Sequence, residues 1–213
     1  MSVGSSVRRL LGPRLERAAA DRYRRLFVDL DALATTIAGL GSFGSVIEVG
    51  CGEGALLSRL MDALDPDATA VGIDIAANPG HGYSGRNPDV VFRQAAVAEL
   101  VAEGQRFDLV VVSDVLHHIP PTERITFLES CRELLAPDGT IVVKEWVRRR
   151  NIAHLAAYTS DRYVSGDKGV QFYTQDELQT VFSDVFRVDG LPLITSHTRP
   201  HWNNVVMATT RNT

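Results

Sequence analysis

The sequence predicts an α/β fold in which helices cover both faces of a mainly parallel sheet. Between residues 45 and 146, short apolar runs typical of buried strands alternate with segments whose apolar residues recur at helical spacing. This alternation indicates parallel strands joined by crossover helices. The first apolar run, Ser45 to Val49, leads directly into a glycine-rich turn. A strand, a glycine turn and a helix N-terminus in succession are typical of a ligand site.

The composition is that of an ordinary globular protein. Its 213 residues, 45% hydrophobic and 23% charged, suffice for one domain with a sizeable core. The formal net charge of -4 argues against nucleic acid or an anionic membrane as the main partner. No apolar run reaches the length of a membrane span, and the Arg8-Arg9 pair lacks the apolar segment of a secretory signal. Two cysteines make no disulfide framework, and we expect a cytoplasmic protein.

The elements of the regular region follow in chain order. A helix is predicted over residues 31–38, and another begins at Ala55 after the glycine turn. Beyond the first strand, we predict strands over 68–75, 90–93, 108–113 and 140–146, with helices over 95–103 and 121–135. Residues 76–88 are predicted to form a loop, and Pro137-Asp138-Gly139 a turn into the strand that follows.

The two ends of the chain are less regular. Residues 1–44 are predicted to hold N-terminal helices, 45–146 the binding core, and 147–173 an insertion that covers the substrate. Thr174 and Glu177 form a capping box, so a helix is predicted from there to about Phe182. Strands over 185–193 and 204–209 then pair antiparallel and complete one domain over residues 1–213.

The glycine turn alone is compatible with two cofactors. Its spacing Gly50-x-Gly52-x-x-Ala55 fits the dinucleotide fingerprint, which would indicate a nicotinamide-dependent oxidoreductase. The overlapping spacing Glu48-x-Gly50-x-Gly52-x-Gly54 fits a different motif, the first one of a methyltransferase family.

Four segments in order resemble the class I S-adenosylmethionine (SAM) methyltransferases of the small-molecule type. They are Ile47–Gly54, Val71–Ile75, Phe107–Ile119 and Leu134–Thr140, and each lies at a strand end or in the turn entering a strand. The resemblance covers about residues 45–146. It implies a three-layer, Rossmann-like sandwich with a seven-stranded, mostly parallel sheet whose last strand is antiparallel.

The resemblance also implies which residues bind SAM and its product S-adenosylhomocysteine (SAH). Asp74 would accept both ribose hydroxyls, as an acidic residue about 20 positions beyond the turn does in dinucleotide sites. Glu48 would hold the ammonium group, and Ile75 would pack on adenine. Ala96 replaces an aspartate frequent in the family, so adenine would be held by backbone groups of Ala96 and Val97 or by a neighbour such as Gln94. The remaining cofactor-binding residues would be Gly50, Cys51, Gly52 and Ser113.

The catalytic candidates follow the fourth and fifth strands of the core. A histidine near neutrality suits the removal of a proton from the methyl acceptor. His117 and His118 follow strand four, and since adjacent side chains point apart we favour His118. The alternative is that the pair only packs or caps the next turn. Glu145 ends strand five and is expected, with Trp146, to line the substrate mouth.

The expected partner is a small-molecule methyl acceptor with an oxygen, nitrogen or carbon nucleophile. A tRNA- or RNA-directed methyltransferase, a nicotinamide oxidoreductase and a SAM-binding protein without transfer activity are the alternatives. We predict no metal, because no His, Cys or carboxylate pair has suitable spacing, and a monomer or homodimer. Other substrate-side candidates are Tyr158, Asp161, Arg162, Tyr163, Asp167, His197, His201 and Trp202.

Overall fold

The computed structural model describes residues 28–149, 170–187, 194–198 and 203–211. Several predicted features lie outside these ranges. They are residues 1–27 of the predicted N-terminal helices, most of the 147–173 insertion with its five candidate side chains, and the candidates His201 and Trp202. The division of the chain into one domain with the predicted segments stays a prediction.

Seven strands form one sheet in the order β3-β2-β1-β4-β5-β7-β6. Strands β1 to β5 pair in parallel, whereas β7 runs antiparallel to both β5 and β6. The predicted fold class, including the antiparallel last strand, is confirmed. The strands are β1 (Ser45–Val49), β2 (Thr69–Asp74), β3 (Val90–Gln94), β4 (Phe107–Ser113), β5 (Leu135–Trp146), β6 (Ile194–His197) and β7 (Asn204–Thr210).

Helices cover both faces of this sheet and make it the middle of three layers. The described helices are α1 (Leu30–Ala38), α2 (Ala55–Ala63), α3 (Val97–Ala102), α4 (Arg124–Glu133) and α5 (Gln175–Phe186). Apolar residues of α1 and α2 pack against one face of β1, and those of α3, α4 and α5 against the other face of the sheet. Within the described ranges, no helix is long and apolar enough to cross a membrane.

The largest error of the sequence prediction concerns the chain after residue 182. The helix does not end near Phe182 but continues to Phe186, so the strand predicted over 185–193 does not begin at residue 185. Residues 188–193 lie outside the described ranges, and β6 is described at Ile194–His197. Phe182, Val185 and Phe186 recur at helical spacing and are buried, which favours helix over strand. Arg187, in the left-handed region at φ 51°, ends the helix.

Two boundaries near β5 also differ. Helix α4 begins at Arg124 rather than residue 121. The predicted turn at 137–139 lies inside β5, where the pairing with β4 shifts from Phe107–Leu135 to Leu109–Thr140. A bulge therefore absorbs these residues, and Asp138 adopts φ 61° within it.

The strand order locates the site. The chain leaves the sheet at its β3 edge and returns at β4, on the other side of β1. In such sheets ligands bind at the carboxyl ends of the strands where the order reverses. The ends of β1 and β4, with β2 beside them, are that point.

Candidate functional site

A cavity of about 790 Å³ lies at the carboxyl ends of β1 to β4. This volume is within the range of small-molecule pockets. It is bordered by the glycine turn, the ends of β2 and β3, the segment after β4, and α4. Of the predicted residues, those lining it are Gly50, Asp74, Ile75, Ala96, Val97 and His118.

The glycine turn is tied to the end of β2 and needs its glycines. The amides of Gly50 and Cys51 both donate to the Ile73 carbonyl, at 2.8 and 2.9 Å. Gly50 has φ 75°, and a Cβ there would lie 2.4 Å from a methyl group of Val115. Gly52 has φ 51° with no atom within 4 Å of a Cβ position. The first glycine therefore permits a close packing contact, and the second leaves open space beside the turn.

Asp74 stands where an acidic acceptor was predicted. Its carboxylate accepts the amides of Gly52 and Ala76, each at 2.8 Å, and so connects the end of β2 to the turn. The side chain is half-buried and lines the cavity. Next to it, Ile75 is 78% exposed and also lines the cavity, which offers an apolar surface to a flat ring.

Glu48 is buried beneath the turn with incomplete hydrogen bonding. Only 4% exposed, it has one carboxylate oxygen, Oε2, without a partner among the described residues. Burial raises the pKa of Glu48 to about 8; a hydrogen bond from the Leu57 amide partly offsets this, and the charge of Asp74 adds to it. A buried carboxyl short of partners is well suited to a cationic ligand group.

The adenine end differs in detail from the prediction. The Ala96 amide, expected to be available, donates to Glu99 Oε1 at 2.8 Å, and Gln94 donates through its side chain to the Ile75 carbonyl. Val97 opens α3 and lines the cavity. Since first-turn amides of a helix have no acceptor within it, the Val97 amide is the better candidate of the two.

Cys51 and Ser113, like Glu48 and Gly52, are not among the residues that line the described cavity. Cys51 is buried, and its burial together with the negative charges of Glu48 and Asp74 raises the pKa of its thiol to about 12. The thiol is therefore not a nucleophile at neutral pH. Ser113 ends β4 half-buried, in register with Lys144.

Glu145 is buried rather than placed at the mouth of the cavity. It is 1% exposed, and its Oε1 accepts the amides of Val115 and Leu116 at 2.8 and 2.6 Å. Its Oε2 bonds His117 Nδ1 at 2.7 Å, and the buried His117 ring stacks on Phe172. Trp146 is buried as well. The expected lining role of Glu145 and Trp146 is therefore wrong, and the Glu145–His117 pair positions the segment after β4.

His118 is the histidine that faces the cavity. In the single turn of 3-10 helix at Leu116–His118 the two rings are adjacent, but His117 is buried and His118 is exposed. Their ring centroids lie 4.2 Å apart. The sequence-based preference for His118 agrees with this placement, while its chemical role stays a prediction.

The sequence analysis missed Asp114 and Lys144. Lys144 has no exposed side-chain surface and donates to Asp114 Oδ2. Asp114 lines the cavity and has φ 56°, which is uncommon outside glycine. A lysine amid the apolar residues of strand five was the available signal, because a buried ammonium requires a partner. The sequence did not identify that partner.

Asp114, His117 and Glu145 bring three potential metal-ligand atoms within 4.8 Å of one another. Each side chain already has a partner: Asp114 pairs with Lys144, and Glu145 bonds His117 and two amides. A cation would have to compete with the Lys144 ammonium. This pairing argues against a metal at the cluster.

The described residues fit SAM at the glycine turn. Glu48 offers a buried oxygen for an ammonium, and Gly52 leaves open space where a side chain would stand. Asp74 and Ile75 provide the acceptor and the apolar surface that a nucleoside requires. Fold and site together define an α/β protein that binds a nucleoside-bearing cofactor.

Comparisons with known proteins identify the family. Residues 14–185 match the model of the methyltransferase domain family. An uncharacterized methyltransferase of Mycobacterium tuberculosis is 30% identical over 145 residues, which cover 67% of this chain and 72% of that protein. The chain therefore belongs to the methyltransferase domain family, and the resemblance to class I SAM-dependent methyltransferases is confirmed.

Two further comparisons are more limited. The ubiquinone biosynthesis O-methyltransferase of Actinobacillus pleuropneumoniae is 30% identical over 111 residues, 47% of this chain and 45% of that protein. The chain thus spans less than half the length of this relative. The structure of 1,6-didemethyltoxoflavin-N1-methyltransferase from Burkholderia thailandensis, with 1,6-didemethyltoxoflavin and SAH bound, aligns at a TM-score of 0.64 and 20% identity. The alignment covers 92% of this chain and 84% of that one, and it shows a similarity of fold.

Proposed function

We propose that this chain transfers a methyl group from SAM to an oxygen, nitrogen or carbon nucleophile of a small molecule. The observation that carries the proposal is the convergence of Gly50, Asp74, Ile75 and His118 on one cavity, and the partly unsatisfied Glu48 of the neighbouring strand β1 supports it. Membership of the methyltransferase domain family supports it.

Each residue has a task that its surroundings support. Asp74 and Ile75 would hold the ribose and the adenine ring, Val97 the edge of that ring, and Glu48 the ammonium. Bound SAM would supply a methyl group on its sulfonium, which the acceptor nucleophile takes by in-line displacement with SAH as the leaving group. The cavity orients the acceptor for that displacement and excludes water. His118, which lines the cavity, would accept a proton from the acceptor, with its neighbour His117 held by Glu145.

A small acceptor fits better than RNA. The net charge of -4 and the partly apolar cavity wall formed by Val115, Ile119 and Phe127 favour an organic molecule. The Burkholderia relative holds such a molecule in its structure. A cytoplasmic location and a monomeric or homodimeric state belong to the same proposal.

Calorimetry tests the cofactor assignment. Asp74→Ala should weaken SAM binding by one to two orders of magnitude, because a charge-assisted contact contributes about 1.5–3 kcal/mol. Asp74→Asn, which retains an acceptor for the Gly52 amide, should weaken it less. Asp89→Ala, at an exposed acid outside the cavity, serves as the control. Unchanged affinity in Asp74→Ala would show that the ribose binds elsewhere.

Two experiments test the alternative cofactor and the alternative acceptor. Preferential binding of NAD(P) over SAM would restore the nicotinamide oxidoreductase and overturn the methyltransferase proposal. Labelled SAM offered with small-molecule extracts and with bulk tRNA separates the two acceptor classes. Label incorporated into tRNA alone would overturn the small-molecule part.

A further inference from the structure

The cofactor assignment leaves one buried charge pair unexplained. Lys144 is fully buried in β5, next to the apolar Val143 and within the pairing of β5 with β4 and β7. A buried ammonium is costly unless it is paired. Its partner is Asp114, the residue that immediately follows β4.

Asp114 brings this pair to the cavity. Its side chain is 35% exposed and lines the cavity, while Oδ2 accepts from Lys144. Its own amide donates to the Lys144 carbonyl at 2.8 Å, so backbone and side chain are held by the same lysine. Its φ of 56° is a conformation that non-glycine residues adopt at some energetic cost, and such residues cluster at functional sites.

The neighbours of Asp114 connect the glycine turn to the apolar wall of the cavity. The next residue, Val115, packs against Gly50 of the glycine turn. Ile119 and Phe127 contribute apolar wall to the same cavity, and His118 lies four residues along the chain. If the ring of an organic acceptor packs against this wall, its polar substituent can lie near Asp114 and His118.

We propose that the Asp114 carboxylate, held by Lys144, binds an O–H or N–H group of the methyl acceptor. A carboxylate only accepts hydrogen bonds, so the bound group must be a donor. Lys144 already balances the charge of Asp114, and the pair therefore favours a neutral donor over an ammonium. The inference rests on the proposed function and narrows it to hydroxyl- or N–H-bearing acceptors.

Phenol, toluene and benzylamine are the probes for this preference. All three contain a benzene ring. Phenol carries a neutral hydrogen-bond donor, toluene an apolar methyl group, and benzylamine an ammonium at neutral pH. We would titrate each into the SAH-loaded protein and follow amide resonances by NMR. Phenol should bind at least about tenfold more tightly than toluene, the lower end of the effect of one net hydrogen bond to a charged acceptor. It should also bind more tightly than benzylamine.

Asp114→Asn tests the residue itself. Asparagine tolerates positive φ, and its amide oxygen can still accept from Lys144, so the fold should persist. The preference for phenol over toluene should fall to about twofold or less, because the charged acceptor is lost. Asp138→Asn is the matched control, because Asp138 also has positive φ but lies exposed and outside the cavity. This control should keep the wild-type preference.

The outcomes separate this inference from the proposed function. If the wild-type protein does not bind SAH in calorimetry, the proposed function fails. If SAH binds but wild-type protein binds phenol and toluene equally, the Asp114 inference alone is overturned, whatever the variant does. It is also overturned if both variants keep the preference, or if benzylamine binds more tightly than phenol.

Discussion

Two buried glutamates each stand one residue before the end of a strand, yet the fold satisfies only one of them. Glu48 is the next-to-last residue of β1 and Glu145 the next-to-last of β5, and their side chains are 4% and 1% exposed. Glu145 accepts two backbone amides and bonds His117. Glu48 has an oxygen without a partner among the described residues, and burial raises its pKa to about 8.

The difference supports the proposal that Glu145 is a structural carboxylate and that Glu48 binds the cofactor. Glu145 fixes the segment that carries Asp114 and His118, and the chain itself provides every group that it needs. Glu48 lies beneath the glycine turn, where a cationic group of the cofactor would complete its hydrogen bonding. Burial alone therefore does not distinguish the two roles, whereas the count of partners does.

Removing Glu145 should have the largest effect on stability. Glu145→Ala leaves the Val115 and Leu116 amides and His117 Nδ1 without their partner, and each buried unsatisfied group costs about 1–3 kcal/mol. We expect the free energy of unfolding in urea to fall by at least about 3 kcal/mol. Glu145→Gln should lose less, because its amide oxygen still accepts. A loss below about 1 kcal/mol for Glu145→Ala would remove the structural assignment.

Glu145 should stabilise the folded protein, whereas Glu48 should destabilise it at high pH. Its folded pKa of about 8 exceeds the ordinary value of 4.5, so above pH 4.5 the unfolded chain releases a proton that the folded protein keeps. The stability that this group contributes is complete below its unfolded pKa and is lost as the pH rises through the folded pKa.

The comparison is made between wild-type protein and Glu48→Gln, so that other titrating groups cancel. The free energy of unfolding of the wild-type protein should fall relative to that of the variant by about 2 kcal/mol between pH 6 and pH 8. Urea unfolding at several pH values without cofactor measures this. A constant difference across that interval would mean that Glu48 is ionised and paired in the free protein.

The sequence predicted the part of the cavity beside the glycine turn better than the part formed by the segment after β4. The glycines, Asp74 and Ile75 act through backbone geometry and local hydrogen bonds, which short motifs specify. The Rossmann-like order of strands followed from the same alternation of apolar segments. The helix to Phe186 was missed because the apolar residues after 182 suit either a strand or a helix, and packing against α4 decides between them.

The part of the cavity formed by the segment after β4 depends on pairs of residues that are distant in sequence. Lys144 and Asp114 are 30 residues apart, and Glu145 and His117 are 28 apart. Only the parallel register of β4 with β5 brings them together. Glu145 was therefore expected at the mouth, since position at a strand end does not reveal which donors the neighbouring segment turns toward it.

The third expected effect, proton release on cofactor binding, is the smallest in free energy and the most informative about Glu48. If its carboxylate receives the ammonium of SAM or SAH, it must ionise on binding, and at pH 7 most of the free protein carries the proton on Glu48. Binding should therefore release nearly one proton per site, measured by calorimetry in buffers of different ionisation enthalpy. Glu48→Gln should abolish this release and weaken binding by roughly tenfold, about 1.4 kcal/mol. Glu145→Gln should retain the release, because Glu145 is satisfied within the chain. Binding without proton release in wild-type protein would show that the ammonium is held by other groups, and Glu48 would then join Glu145 as a structural residue.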